Sequence, residues 1–335
     1  MVNELTKKDF IEQTAPLFSF MCRSQQWDGL TERKIKEWLS NFTDIDGQFL
    51  AHNILKKCIY YSESDILSLL RYGLEDLVYG RDLREEIIKT IGIQTTGSVY
   101  SSHIKSKKDK SFFIPLLDKN KPHESGQQMI RYLVQNGMVQ SSQTAFHGVT
   151  DPNQLDGYEY LFIVDDCIGS GQQIYDFWNS PDIQSLKNKA IPKGIKCYYL
   201  TLVAYRENLA ALHCRFNDLS IVACDILTDK HRVFSEQSVY WQDKPELDFA
   251  RDYFIRLQKE RGIQMFGWGG LDFALVIHRN IPDWSLPIFW QQNKGCMLKH
   301  LTANSSGHCC RIRYDKIRIQ EKLKSDKISI SVRWP

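Results

Sequence analysis

The sequence lacks a long hydrophobic run, a CxxC pair and a strong charge bias. No stretch of its 335 residues approaches the roughly 18 apolar residues of a transmembrane helix. The opening residues MVNELTKKDFIEQ lack the basic-then-apolar order of a secretory signal, so we expect a cytoplasmic protein without a membrane contact. The net charge of +3 is too small for a protein that is basic throughout, so any contact with a polyanion must be local.

The nine cysteines are scattered from Cys22 to Cys310, which favours reduced thiols over a disulfide framework. One zinc-capable group occurs near the end of the chain, consisting of Cys296, His300, His308, Cys309 and Cys310. Its spacing matches no common zinc finger, and vicinal cysteines rarely bind one tetrahedral ion. Core or surface positions are the better interpretation, and we expect no metal site formed by protein ligands alone.

The first quarter of the chain has helical spacing. Residues 4–91 predict three or four helices, for example 30–41, where Ile35, Trp38 and Leu39 share one face and Thr31 is placed to cap. We assign residues 1–95 to an N-terminal helical subdomain. The polar stretch 92–111, which ends in several lysines, predicts a loop. Its lysines are either a solvated connector or an arm that reaches a phosphate.

Strand and helix patterns alternate after residue 111. Strands are predicted at 112–117, 138–149, 161–164, 195–205 and 219–227, and helices at 127–137, 171–179 and 207–214. This order predicts an α/β fold with a doubly wound, mostly parallel sheet, which we assign to residues 96–230. In such sheets ligands bind at the carboxyl ends of the strands.

The remaining residues, 231–335, predict a C-terminal mixed extension. It contains a helix at 245–262 that ends at Gly262, a strand at 271–278 and an ordered aromatic loop at 282–290. That loop closes over either the core or a ligand. The last residues alternate apolar and polar side chains like a hairpin, and their basic face leaves nucleic-acid contact open.

The main functional signal is residues 161–174, LFIVDDCIGSGQQI. An apolar strand runs into Asp165 and Asp166, then into a Gly-Ser-Gly turn and a helix. Amides of such a turn point at an anion, and the upstream carboxylates accept hydrogen bonds from hydroxyls, which together suit a sugar phosphate. A dinucleotide fingerprint would need a third glycine and a later acid, and no P-loop motif occurs, so both of those classes are excluded.

The segment VDDCIGSGQQ resembles the phosphate-binding signature of phosphoribosyltransferases of type I fold. The resemblance implies that Asp165 and Asp166 hold the ribose hydroxyls of phosphoribosyl pyrophosphate and that the following loop holds the 5′-phosphate. The loop residues are Cys167, Ile168, Gly169, Ser170, Gly171, Gln172 and Gln173. Residues 118–126 stand where the family keeps its pyrophosphate loop, with Lys121, Ser125 and Gly126 as candidates, and residues 140–158 where its catalytic loop inserts. The resemblance also implies Mg²⁺ carried by the substrate.

A narrower resemblance lies in FGWGGLDFALVIHRNIPDWSLPIFW. Its pattern of Asn280, Pro282, Leu286, Pro287 and Trp290 is similar to that of phosphoribosyltransferase-like proteins with a C-terminal extension. That family is associated with bacterial antiphage systems, including some retrons. The two resemblances cover roughly residues 30–295. They imply partners such as a ribosyl phosphate or nucleotide and a reverse transcriptase with its DNA. The sequence leaves a homo-oligomer open.

Gln173 departs from the family pattern, which usually has threonine there. We therefore keep three functions open. The first is a phosphoribosyltransferase-like enzyme that displaces a group at ribose C1. The second is a nucleotide sensor or interaction protein that keeps the fold without the transfer. The third is a nucleic-acid-binding component that uses Lys105–Lys110 and a basic tail containing Arg311, Arg313, Lys316 and Arg318.

Overall fold

The computed structural model describes residues 3–90, 97–117, 125–145, 151–278 and 280–291, and only the backbone of residues 87–90. Helices fill the first part of the chain, as predicted. They are α1 (Glu4–Arg23), α2 (Glu32–Leu39), α3 (Ile45–Lys56), α4 (Glu63–Tyr72), a π-helix (Gly73–Gly80) and α5 (Arg81–Thr90). Thr31 caps α2 by accepting a hydrogen bond from the Lys34 amide, which confirms that prediction. The short strand β1 (Ile59–Tyr61) interrupts these helices and was not predicted.

The central sheet has four parallel strands in the order β2 (Ser111–Pro115), β3 (Tyr160–Ile168), β4 (Lys196–Tyr205) and β5 (Ser220–Leu227). The connecting helices are α7 (Ser125–Gln135), α8 (Gln172–Trp178), α9 (Pro181–Ala190) and α10 (Arg206–His213). The predicted strands and helices of this region are confirmed with two exceptions: helix α9 was not predicted, and the predicted strand 138–149 is wrong where it is described. In 138–145, the described part of the expected strand 138–149, Ser141–Gln143 is a 3₁₀ turn and Thr144 forms one parallel bridge to Phe113.

That bridge shows where the order in which the chain adds strands to the sheet reverses. The chain leaves β2, passes through α7 to Thr144 on the outer side of β2, and then returns to form β3 on the inner side. The carboxyl ends of β2 and β3 therefore flank a topological switch point, which is where ligands bind in open α/β sheets.

Helices cover both faces of the sheet, so the doubly wound prediction is confirmed. One buried cluster joins α4, the π-helix and α7 to side chains such as Phe162 and Leu200, and the other joins α8, α9 and α10 to side chains such as Ile163 and Tyr199. Alternate residues of β3 thus enter opposite clusters, as the two-residue repeat of a strand requires. Both faces are apolar because both are buried.

A further core joins the two ends of the described chain. Residues of α1–α3 pack in one cluster with α11 (Lys244–Arg261) and with residues 263–290. The Trp38 indole, for instance, donates a 2.9 Å hydrogen bond to the Ile288 carbonyl. The strand β6 (Leu275–Ile277) pairs in parallel with β1, so the predicted strand 271–278 is shorter than expected. The division of the chain at residues 95 and 230 stays a prediction.

The predicted loop at 92–111 is wrong where it is described, because residues Gly97–Asp109 form helix α6. Side chains distant in sequence stabilise this helix: Tyr100 donates to the Glu75 carbonyl, and Ile104 is buried. Three lysines of this region form ion pairs at 2.5–2.9 Å, namely Lys107 with Glu86, Lys108 with Glu75 and Lys110 with Glu159. These lysines therefore contact neighbouring elements, and nucleic-acid binding through them stays a prediction.

Two sequence predictions fall on residues 292–335, outside the described part of the chain. They are the terminal hairpin with its basic face and the zinc-capable group near Cys309. The ordered aromatic loop at 282–290 is confirmed, and its side chains are largely buried. Among the described residues, no helix is both long enough and apolar enough to cross a membrane.

Candidate functional site

The acid pair lies within β3 rather than after it. β2 ends at Pro115, opposite Val164, whereas β3 continues to Ile168 beside β4. From Asp165 onward, β3 therefore has no β2 residue beside it. The start of α7 lies against this end of β3, and only 3% of Asp165 and 4% of Asp166 is exposed.

Asp165 accepts hydrogen bonds from two elements besides its own strand. The Ser125 hydroxyl at the start of α7 donates to Oδ1 at 2.6 Å, and the Tyr199 hydroxyl on β4 donates to Oδ2 at 3.2 Å. Burial and the nearby Asp165 charge raise the pKa of Tyr199 well above its usual range, so the phenol stays a neutral donor. A buried carboxylate is stable only with such donors, and Asp165 has them.

Gly126 allows α7 to approach this closely. A Cβ on Gly126 would lie 2.8 Å from three backbone atoms, namely Leu116 N, Leu116 O and Val164 O. Any side chain would therefore push the start of α7, and with it Ser125, away from the end of β3. The predicted candidates Ser125 and Gly126 thus lie beside the acid pair, while Lys121 lies outside the described residues.

Asp166 receives a donor from the C-terminal extension. The Asn280 side-chain amide donates to Oδ2 at 3.1 Å. Burial raises the pKa of the Asp166 carboxyl, and hydrogen bonds from Cys167, Ser125 and Asn280 oppose that rise without cancelling it. Ser125 therefore donates a hydrogen bond to Asp165 and also lowers the pKa of Asp166. The C-terminal extension contributes Asn280 as a further donor to Asp166.

Trp284 covers the residues that follow the acids. Its indole N–H donates to the Cys167 sulfur at 3.2 Å, and a Cβ on Gly169 would lie 3.0 Å from the indole ring. Burial, followed by the charges of Asp166 and Asp165, raises the pKa of Cys167 well above its usual range. The Cys167 thiol is therefore protonated at neutral pH and is a poor nucleophile.

The Gly-Ser-Gly turn leads into α8. Gly171 has φ +74°, in the left-handed region that favours glycine, and its Cβ position is 2.5 Å from Leu212. The Asn208 amide fixes the turn by donating to the Gly169 carbonyl at 2.6 Å. Ser170 is exposed at the tip of the turn.

The other predicted loop residues divide by exposure. Ile168 is 1% exposed and packs in the core, so only its backbone is available to a ligand. Gln172 and Gln173 are exposed in the first turn of α8, and the Gln172 amide donates to Asp176. The exposed part of the predicted phosphate loop is thus Ser170, Gln172 and Gln173.

Sequence reasoning missed three side chains that contact the predicted site, namely Tyr199, Asn208 and Trp284. Each lies on an element distant in sequence, and nothing local marks Tyr199 or Asn208. Asn280 and the loop containing Trp284 belonged to the recognised C-terminal pattern, but that pattern does not say that they contact Asp166 and Cys167.

A doubly wound parallel sheet, with paired acids and a Gly-Ser-Gly turn at a switch point, defines a phosphoribosyltransferase-like protein. Residues 35–299 match the family model PRTase-CE, and the chain belongs to that family. The crystal structure of orotate phosphoribosyltransferase from Aeropyrum pernix is similar over 38% of this chain and 72% of that chain, with 16% identity and a TM-score of 0.22. No curated protein sequence matches the chain.

Proposed function

We propose that the chain binds a ribosyl 5-phosphate or nucleotide at the end of β3 and acts on it as a phosphoribosyltransferase-like enzyme. The observation that carries the proposal is the acid pair at the switch point, with the Ser125 hydroxyl within 2.6 Å of Asp165 and the exposed turn at Ser170 next to it. Carboxylates accept hydrogen bonds from the two ribose hydroxyls, and turn amides favour a phosphate.

The chemistry would be displacement at ribose C1. The bond from C1 to its leaving group breaks as the bond to the acceptor forms, through an oxocarbenium-like transition state. Asp165 and Asp166 would orient the sugar and stabilise the developing positive charge. Ser125, with Lys121, would face the pyrophosphate, and Gly126 would hold the start of α7 against the sheet. Ribose hydroxyls would replace protein donors such as Ser125 and Asn280, because both acids already accept hydrogen bonds within the protein.

Mg²⁺ is the ion proposed for this site, and carboxylate oxygens are ligands of the kind that it takes. Asp165 and Asp166 are buried, so the ion would enter on the pyrophosphate and neutralise its charge. The residues of the chain would then bind and orient the sugar phosphate.

The test is to incubate the full chain with phosphoribosyl pyrophosphate, NAD and nucleotides plus Mg²⁺ and to follow all species by mass spectrometry. We expect pyrophosphate release or base loss that disappears in Asp166→Asn. Asp252→Asn, an exposed position on α11, is the matched control and should keep the activity. Turnover that is equal in both variants would contradict the proposal.

A second candidate is a nucleotide sensor that binds without transfer. Asn280 and Trp284 favour it, because the extension contacts both Asp166 and Cys167 and a bound nucleotide would have to displace or share those contacts. Gln173 in place of the usual threonine favours it as well. Nucleotide binding by calorimetry without any conversion of the nucleotide, lost in Asp166→Asn, would select the sensor.

In either case we propose an effector role in bacterial antiphage defence. The partners would be a reverse transcriptase and its DNA, and a second copy of the chain is a further candidate. Copurification with such a complex, and loss of phage protection in cells that carry Asp166→Asn, would support this role. Phage protection that is unchanged in that variant would contradict it.

A further inference from the structure

Three segments meet at the carboxyl ends of the small sheet. Tyr61 of β1 pairs with Ile277 of β6, so both strands end at the same edge. Glu63 begins α4 just after β1, and His278 directly follows β6 with φ +47°. The turn after α1 brings Asp28 to the same place.

Backbone contacts fix these segments together. The Glu63 amide donates to Asp28 Oδ2 at 2.8 Å, and the His278 amide donates to the Tyr61 carbonyl at 2.6 Å. The Tyr60 hydroxyl contacts the Asp28 carbonyl and lies 2.9 Å from the His278 carbonyl. Asp28 and His278 are therefore held close together by contacts that do not use Asp28 Oδ1 or the His278 ring.

Two buried polar atoms face each other there without a hydrogen bond. Asp28 Oδ1 and His278 Nδ1 are 3.0 Å apart, yet both are buried atoms that lack a hydrogen-bond partner among the described residues. His278 is 9% exposed. Their separation suits an ion pair, but their alignment does not suit an N–H···O bond. Burying two polar atoms without hydrogen bonds lowers the stability of the fold. A cation bound by the lone pairs of Asp28 Oδ1 and His278 Nδ1 would remove that penalty.

Glu63 supplies a third ligand atom. One oxygen or nitrogen atom from each of Asp28, Glu63 and His278 lies within 4.8 Å of the other two. Bonds of about 2.0–2.2 Å to a tetrahedral ion put its ligand atoms roughly 3.3–3.6 Å apart. The 3.0 Å separation of Asp28 Oδ1 and His278 Nδ1 must therefore widen slightly, and Glu63, whose Oε2 lies 4.0 Å from His278 Nε2, must move toward Nδ1. Half of the Glu63 side chain is exposed, and its rotation can provide that movement.

We propose that Asp28, Glu63 and His278 bind a divalent transition-metal ion, with Zn²⁺ as the probe, and that water completes its coordination. One imidazole with two carboxylates favours Zn²⁺, Mn²⁺ or Co²⁺ over Ca²⁺ and Mg²⁺. The ion would tie the turn after α1 and the start of α4 to the end of β6. His278 stands two residues before Asn280, so the ion would also anchor the segment that contacts Asp166.

The test is a Zn²⁺ titration of the chelator-treated full chain against a competing chromophoric chelator. We expect Glu63→Gln and His278→Asn each to weaken one site by at least about tenfold, because loss of an outer-shell partner alone costs 10–100-fold. Asparagine tolerates the positive φ at residue 278. Glu37→Gln, whose side chain is about as exposed as that of Glu63, and His213→Asn at an exposed position are matched controls and should leave the affinity unchanged.

A Co²⁺ spectrum distinguishes this site from the zinc-capable group near Cys309. Thiolate ligands give an intense sulfur-to-metal band, whereas the proposed nitrogen and oxygen ligands give only weak bands. Zn²⁺ should also raise the Tm of the wild type but not that of Glu63→Gln. Binding that is unchanged in Glu63→Gln, or bound Co²⁺ that shows only thiolate bands, would overturn the proposal. Should His278→Asn fail to fold, Glu63→Gln decides, because its side chain is half exposed.

Discussion

Replacing Gly126 by alanine should destabilise the protein, because this residue of α7 lies against the backbone of the sheet. The new Cβ would lie 2.8 Å from Leu116 N, Leu116 O and Val164 O, whereas ordinary contact begins at 3.4 Å. Backbone atoms cannot rotate away, so the start of α7 must move by 0.6 Å (3.4 − 2.8 Å). Overpacking of this kind costs about 1–3 kcal/mol, and the helix propensity of alanine returns at most about 1 kcal/mol.

We therefore expect a net loss of about 1–2 kcal/mol in the free energy of unfolding, or a Tm lower by roughly 2–4 °C per kcal/mol. Urea unfolding followed by circular dichroism measures this loss. Gly97→Ala is the matched control, since Gly97 also stands at the start of a helix but its Cβ position is open. That variant should be as stable as the wild type or slightly more stable.

The same movement would shift Ser125, which is proposed to face the pyrophosphate when substrate is bound. Gly126→Ala should therefore also weaken the binding of phosphoribosyl pyrophosphate, which calorimetry can measure in the folded variant. If Gly126→Ala is as stable as Gly97→Ala, the expected clash is refuted, because α7 would then have room for a Cβ at residue 126 beside Leu116 and Val164. If Gly126→Ala has wild-type stability but binds the ligand more weakly, the substitution perturbs the site without destabilising the fold.

Other substitutions and labelling test the buried groups. Burial raises the pKa of Asp166 above its unfolded value, so the free energy of unfolding should fall as pH rises from about 4 to the folded pKa. Asp166→Asn should make this decline shallower in urea unfolding at several pH values, and an unchanged slope would contradict the shift. Arg232→Met should lower the free energy of unfolding, measured with urea, by about 3 kcal/mol, because the fully buried Asp272 loses its ion-pair partner. A loss near zero would argue against that ion pair. Iodoacetamide should label the exposed Cys214 quickly and Cys167 only on unfolding, because the pKa of Cys167 is raised. Equal labelling rates by peptide mass spectrometry would be inconsistent with this.

Local patterns predicted most of the sheet. The run Leu161–Val164 is apolar on both faces because helices cover both faces of the sheet, and that pattern needs no knowledge of its neighbours. Caps such as Thr31 and Gly262 were equally predictable, since the residue that caps a helix is adjacent to it in sequence. Helix α6 was missed because contacts with the π-helix and α5, rather than an apolar stripe, stabilise it.

The sequence by itself determined which residues form the candidate site: two adjacent acids and a glycine turn after an apolar strand. Only the tertiary structure decided what surrounds them. Ser125 and Tyr199 bind Asp165, and Asn280 from the extension binds Asp166. The physical reason is that a buried carboxylate needs hydrogen-bond donors, and the donors nearest in space lie on chain segments separated from the acids by 34 to 114 positions.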